Sequence, residues 1–284
     1  MRTRIISGVI AAVILFVIMR LTPFVMGIVI FIASLIALYE FYHALRKADF
    51  HPINSVGFIV CTLFLLYISR AFVNNSNIVL ANFFNFIFQK DIIYLIVYIL
   101  TIYMLVQIVF RYKELKLEDI AITLLGLIYI PFLLSFILLV RLMDNGYELS
   151  WVAFIGAFST DTFAYFIGKF FGKKKVLPEV SPNKTVAGCI GGVIGGIICV
   201  TLYGALYINN VTSLNVNIYH YIIIGLLCGI VAQLGDWTAS AIKRSVNIKD
   251  FGHIMPGHGG ILDRIDSLLF VAPAVYFYIN LLIY

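Results

Sequence analysis

Charge is what this chain has least of: 12% of its 284 residues are Asp, Glu, Lys or Arg, about half the share of an ordinary soluble domain. With 62% hydrophobic residues and a mean hydropathy of +1.02, that scarcity excludes a soluble globular domain and a disordered chain. Cysteine is also sparse. Cys61, Cys189, Cys199 and Cys228 all lie in apolar runs and form no CxxC pair, so neither a disulfide framework nor a zinc site is indicated. The net charge of +6 comes with no aromatic-interleaved basic patch, so nucleic acid is not an expected partner. Membrane topology accounts for the charge better. No long linker, soluble domain or internal repeat is present, and an inverted-repeat transporter gains no support.

What is present is a series of apolar runs long enough to cross a bilayer. Nine spans are expected, at 5–19, 24–42, 53–71, 92–110, 119–140, 150–171, 186–208, 219–242 and 265–283. The first follows Arg2 and Arg4 without a small-residue cleavage site, so it reads as a retained span rather than a leader. The segment 78–88 is short and broken by Asn82 and Asn85, which places it at the interface or as a re-entrant piece. Lys and Arg collect on the cytoplasmic side of membrane proteins. With the N-terminus inside, only Arg20, Arg70, Lys90 and Arg141 fall outside, so 16 of the 20 basic residues lie inside. A tenth span would flip every later loop and spoil that bias. The expectation is an all-α polytopic protein in the cell membrane: a single integral domain over 1–284, with spans in 1–149 and a chemical half in 150–284.

Acidic residues inside apolar runs are costly in lipid, so each is a functional candidate. Glu40, in "LYEFYHALRK", sits near the cytoplasmic end of its span, and an interfacial pair with Arg46 or contact with water is the favoured reading. Asp161, in "FSTDTFAYFIGKFFGKKK", lies mid-span, with Tyr165 and Lys169 following at i+4 and i+8 as one polar stripe. Asp236, in "QLGDWTASAIKRS", shares a helix face with Ser240 and Lys243, and Gln233 lies one turn earlier. Asp263 and Asp266, in "DRID", stand at i and i+3 of the last span. Asp236, Asp263 and Asp266 are therefore expected to converge at the cytoplasmic ends of two consecutive helices. Their mutual repulsion calls for a divalent cation. All-oxygen ligands point to Mg²⁺ or Mn²⁺ held together with substrate phosphates.

Between those helices, "KRSVNIKDFGHIMPGHGGILDRID" gathers charge. The turn Pro256-Gly257-His258-Gly259-Gly260 offers backbone N–H groups to an anion just ahead of a helix. Lys243, Arg244, Lys249 and Arg264 add cationic donors, with Asp250 beside Lys249. His253 and His258 read equally well as local hydrogen-bonders and as phosphate contacts. A second candidate is "SPNKT", in which Ser181 ends a loop, Asn183 is a candidate cap, and Lys184 and Thr185 stand where the next helix begins. By contrast, "YKELKLED", 112–119, reads as a solvated loop.

The stretch 240–266 resembles the signature of the phosphatidate cytidylyltransferase, or CDP-diacylglycerol synthase, family: Ser, two residues, Lys-Arg, four residues, Lys-Asp, a His-Gly-Gly turn and Asp-Arg-x-Asp. The segments 161–185 and 233–244 resemble the same family, so the motifs cover the C-terminal half. That resemblance implies a multi-span homodimer that uses CTP and Mg²⁺, with room for a second cation, to convert phosphatidate to CDP-diacylglycerol and pyrophosphate on the cytoplasmic side. It maps metal-binding aspartates onto Asp236 and Asp263, with Asp266 beside them, and a basic pair onto Lys243 and Arg244. Asp161, Lys169, Ser181, Lys184, Thr185, Ser240, Lys249, Asp250, His258, Gly259 and Gly260 are then expected around the substrates. Two positions depart from the pattern: Met255 for the usual Leu or Ile, and Ala187 where Glu is common. A cytidylyltransferase for another lipid phosphate and a cation-coupled transporter are the rival readings.

Overall fold

The computed structural model describes residues 2–73, 78–255 and 259–283. They form helices α1 (Arg2–Arg20), α2 (Pro23–Arg46), α3 (Asn54–Val73), α4 (Ile78–Ile87), α5 (Lys90–Phe110), α6 (Leu117–Leu127), α7 (Leu133–Arg141), α8 (Gly146–Phe171), α9 (Val186–Tyr203), α10 (Asn209–Val211), α11 (Ile218–Ser245) and α12 (Leu262–Leu282). Among the described residues there is no strand, only two isolated β-bridges. Among the described residues, six stretches are long and apolar enough to cross a membrane: Pro23–Arg46, Lys90–Phe110, Leu117–Arg141, Val186–Val211, Ile218–Ser245 and Leu262–Leu282. The protein is an all-helical, polytopic integral membrane protein. Of the other three expected spans, α1 and α3 contain the shorter apolar stretches Gly8–Arg20 and Asn54–Phe64, and α8 carries Glu148, Asp161 and Lys169 along its length. The segment 78–88 folds as the ten-residue helix α4. At 1.5 Å per residue it is about 15 Å long, half a hydrocarbon core.

The chain forms two compact units, Met1–Phe132 with Ile254–Leu262, and Leu133–His253 with Asp263–Tyr284. The division falls at 132/133, and residues 254–262, leading into α12, belong to the first unit. Phe132 closes a π-helical turn, Ile128–Phe132, that contains Pro131. Proline has no N–H to give the ladder, and a wider turn absorbs the interruption.

In the first unit Pro23 opens α2, where its missing N–H costs nothing. Tyr42 is the centre of packing. It is buried, and its hydroxyl donates to the Thr123 carbonyl at 2.7 Å. Gly57 and Gly126 lie against its ring, where a Cβ would stand 2.8 and 2.5 Å from ring carbons. Within 112–119, Tyr112, Lys113, Glu114 and Lys116 are exposed as a solvated loop would be, but Asp119 departs from that reading. It is 2% exposed, accepts from the Lys116 N–H at 2.7 Å and from the His51 N–H at 2.5 Å, and so caps α6 while tying down the 47–53 turn.

Glu40 is a second correction. It is 3% exposed, and its carboxylate accepts from the backbone N–H groups of Ile261 at 3.1 Å and Leu262 at 2.9 Å. Arg46, the expected partner, donates instead to the Pro52 carbonyl at 3.5 Å. Local sequence favours an i+6 neighbour; desolvation favours a partner that arrives already buried, here more than 200 residues along the chain.

In the second unit, α9 is the organising helix. Gly188, Gly191, Gly192, Gly195 and Gly196 are buried along it. At Gly192 a Cβ would stand 2.9 Å from the Thr160 carbonyl oxygen of α8, and at Gly229 of α11 it would stand 2.7 Å from Val193 Cα. These small residues let three backbones approach closely, the packing mode membrane helices favour. Gln233 adds polar ties, donating to the Cys189 carbonyl at 3.1 Å and to the Gly229 carbonyl at 2.8 Å. Gly235 does the same for α12: a Cβ there would be 2.5 Å from the Asp266 carbonyl oxygen. That approach places Asp236 beside the first turns of α12.

Candidate active site

A cavity of about 580 Å³ opens in the second unit, walled by α8, the loop 172–185, the start of α9 and the middle of α11. Its chemistry is concentrated in Asp161, Lys169, Lys175, Lys184, Asp236 and Trp237. Ser181, Asn183, Thr185 and Gln233 complete the polar lining.

The floor of the loop is set by Thr185. It is the residue before α9, and its Oγ1 accepts from the Gly188 N–H at 3.2 Å. Thr185 rather than Asn183 is therefore the cap, because the helix begins at Val186. The loop folds back on itself through Val176 N–H to the Lys184 carbonyl at 3.2 Å and Val186 N–H to the Lys174 carbonyl at 2.9 Å, around a bridge between Lys175 and Thr185. That bridge turns Lys175 to the cavity, a position that a run of three lysines does not single out. Arg244 holds the loop from outside, donating to the carbonyls of Val180 at 3.3 Å and Ile248 at 3.0 Å.

Lys184 and Asp236 form an ion pair at the centre of the cavity. The Lys184 ammonium also lies 5.8 Å from the centroid of the Trp237 ring, within cation–π range. Ser240 donates to the other Asp236 oxygen at 3.4 Å. Asp161 accepts from Ser267 Oγ at 3.1 Å. Asp161, Asp236 and Asp266 lie within electrostatic reach of one another, and Lys184 and Arg264 offset charge on Asp161.

Asp263 departs from the expected convergence. Its carboxylate is held by Lys243 Nζ at 2.7 Å and by the Phe251 N–H at 2.8 Å, and its side chain is 1% exposed. Lys243 in turn lies 5.4 Å from the Phe251 ring centroid. The i, i+3 spacing puts Asp263 and Asp266 about 60° apart on one side of α12, and the loop's return path brings Lys243 and the Phe251 N–H to the first. Asp161, from α8, takes its place in the carboxylate group. Among the described residues, no set of three His, Cys, Asp or Glu side chains is gathered closely enough to enclose a metal ion. Mg²⁺ carried by a nucleotide needs only one or two protein carboxylates, the rest of its shell being phosphate oxygens and water, and Asp161 and Asp236 both line the cavity.

The remaining expected residues lie around this core. Lys169 lines the cavity 5.9 Å from the Tyr165 ring centroid, and Arg264 is exposed in the first turn of α12. Lys249 and Asp250 lie in the turn after α11, outside the cavity lining found among the described residues. Gly259 adopts φ 85°, a left-handed conformation that suits glycine, and its carbonyl accepts from the Met255 N–H at 2.9 Å. Gly260 stands against Glu40, whose carboxylate takes up the Ile261 and Leu262 N–H groups just beyond. His258, with Pro256 and Gly257, lies outside the described residues. Sequence reasoning missed Lys175 and Trp237; the second is signalled only by its place next to Asp236.

Lysines and carboxylates facing one another in a cavity of an all-helical membrane scaffold are suited to an anionic group held together with a cation. The cytidylyltransferase family model matches residues 2–282, and the chain belongs to that family. It is 32% identical over 283 residues to the phosphatidate cytidylyltransferase of Bacillus subtilis, covering 99% of this chain and 98% of the relative. It is 35% identical over 207 residues to the phosphatidate cytidylyltransferase of Synechocystis, covering 62% and 67% of the two chains. A third relative is the uncharacterised protein YnbB of Escherichia coli, 45% identical over 122 residues, with 43% and 39% coverage.

Proposed function

We propose that this protein transfers the cytidylyl group of CTP to phosphatidate, giving CDP-diacylglycerol and pyrophosphate. The observation that carries the reading is the cavity in which Lys169, Lys175 and Lys184 face Asp161 and Asp236, in a chain whose full-length relative is a phosphatidate cytidylyltransferase. Lysines receive phosphates, and carboxylates share with those phosphates the divalent cation that offsets their charge.

The phosphate of phosphatidate is ionised near neutral pH, so attack on the α-phosphorus needs little general-base help. Positioning and charge stabilisation dominate. One phosphate oxygen of the lipid forms the new P–O bond, the bond from the α-phosphorus to the β-bridging oxygen breaks, and pyrophosphate carries away the electron pair. Lys184 is the cation placed to meet the triphosphate, with Lys169 and Lys175 at the rim. Asp236 and Asp266, with Asp161 beside them, would hold Mg²⁺, which when bound with the nucleotide offsets charge on the triphosphate. Lys243, Arg244 and Asp263 hold the loops that frame the cavity. The basic-residue split supports nine spans with the N-terminus in the cytoplasm and the C-terminus outside, in the cell membrane. That places the loops bearing Lys175, Lys184 and Arg264 where CTP meets the lipid head group. The family resemblance supports a homodimer.

The test is incubation of purified protein with CTP, Mg²⁺ and phosphatidate, followed by detection of the liponucleotide. A panel of other lipid phosphates in the same assay separates the substrate alternatives. CTP consumption with none of them, or solute flux into vesicles without CTP, would overturn the reading.

A further inference from the structure

We propose that Glu40 is a positioning residue for cytidylyl transfer, fixing where α12 begins and thereby the register of Asp263, Arg264 and Asp266. This inference rests on the function proposed above. The first N–H groups of a helix have no partner inside it. The residues ahead of α12 cannot supply one: Gly260 has no side chain and Ile261 is apolar. Glu40 does so from α2, with one carboxylate oxygen on Ile261 N–H at 3.1 Å and the other on Leu262 N–H at 2.9 Å. An anion is the favoured partner at that end of a helix, and bonds to it are charge-assisted.

The second observation is Gly260. A Cβ there would lie 2.5 Å from Glu40 Cδ, so any other residue at 260 would push the carboxylate out of its present position. Part of what reads in sequence as an anion-binding Gly-Gly turn is thus fitted to an anion the protein already carries. Leu262 is the first residue of α12, and Asp263 follows by one peptide bond. A slip of one residue rotates a helix by about 100°. That would carry Asp263 away from both Lys243 Nζ and the Phe251 N–H, and turn Asp266 away from Asp236.

The test compares Glu40→Gln and Glu40→Asp with the wild type, as full-length protein in detergent micelles, assayed on the monodisperse fraction. Glutamine keeps the shape but sets an amide NH₂ against one of the two donors; aspartate keeps the charge but is one methylene short. For Glu40→Gln, kcat should fall about tenfold to a hundredfold, the scale of a small misplacement of reacting groups. KM for CTP and for phosphatidate should stay within about twofold, which marks a loss of alignment rather than of substrate binding. Hydrogen–deuterium exchange should quicken in the peptide covering 261–266 and stay unchanged in α9 and α11. Wild-type kcat in Glu40→Gln, a loss confined to KM, or exchange that quickens throughout the protein would overturn the proposal. So would failure of both variants to give a folded fraction, which would make Glu40 a folding residue. An inactive wild type overturns the cytidylyl-transfer reading instead, and the exchange comparison still decides whether Glu40 sets the start of α12.

Discussion

At the scale of single residues, Asp236 and Asp263, which the family resemblance treats alike, are held in different ways. Asp236 sits in an open cavity opposite Lys184, whereas Asp263 is enclosed with Lys243 and the Phe251 N–H. Asp263→Asn leaves the part-buried Lys243 without its counter-charge, a loss that approaches but stays below the ~3–5 kcal/mol of a fully buried pair. Its thermal midpoint should therefore drop, while the Mg²⁺ concentration for half-maximal activity of the surviving folded protein stays near the wild-type value. Asp236→Asn should do the reverse, keeping the midpoint and raising the Mg²⁺ requirement. Titration of activity with Mg²⁺, beside a melting curve, checks both. Asp161 and Asp236 were legible in the sequence, because a carboxylate inside an apolar run is its own signal. The partners of Asp263 and Glu40 were not. Spacing along a helix gives a face, and neither a backbone N–H twelve residues upstream nor one more than 200 residues downstream leaves a mark in local pattern.

Among the elements, α9 and the loop before it decide the shape of the cavity. Thr185→Val keeps the volume of a buried side chain but removes the oxygen that caps α9, for a loss of about 0.5–2 kcal/mol. The loop that carries Lys175 and Lys184 should loosen with it, so KM for CTP should rise more than kcat falls. Steady-state kinetics with varied CTP checks this. Gly192→Val would press a branched side chain into the Thr160 carbonyl, and the yield of monodisperse protein should fall sharply in size-exclusion chromatography. The close packing of α9 was readable from its glycines. The bridge between Lys175 and Thr185 was not, since one pair of facing residues has no periodicity to detect. The π-helical turn at Pro131 kept its place inside an expected span because the apolar run continues through it.

For the whole molecule, composition alone carried the assignment to the membrane and to helices, while the proposed orientation rests on the balance of Lys and Arg. The limits of single spans were harder to read, because helices extend beyond the apolar stretch they use. α11 runs on through Lys243 and Arg244 to Ser245. With the proposed nine spans, a cysteine introduced at Lys113 should react with an impermeant thiol reagent only from the cytoplasmic side, and one at Asp144 only from the outside. Labelling of both from the same side would remove an odd number of spans between them. Whether this cavity carries out cytidylyl transfer is decided by release of pyrophosphate from purified wild-type protein given CTP, Mg²⁺ and phosphatidate, with Asp236→Asn in parallel. Expected is release equal in amount to the liponucleotide formed, falling about a hundredfold or more in the variant, the scale of losing a main electrostatic contributor. Turnover by folded Asp236→Asn at the wild-type rate would contradict the placement of the chemistry in this cavity.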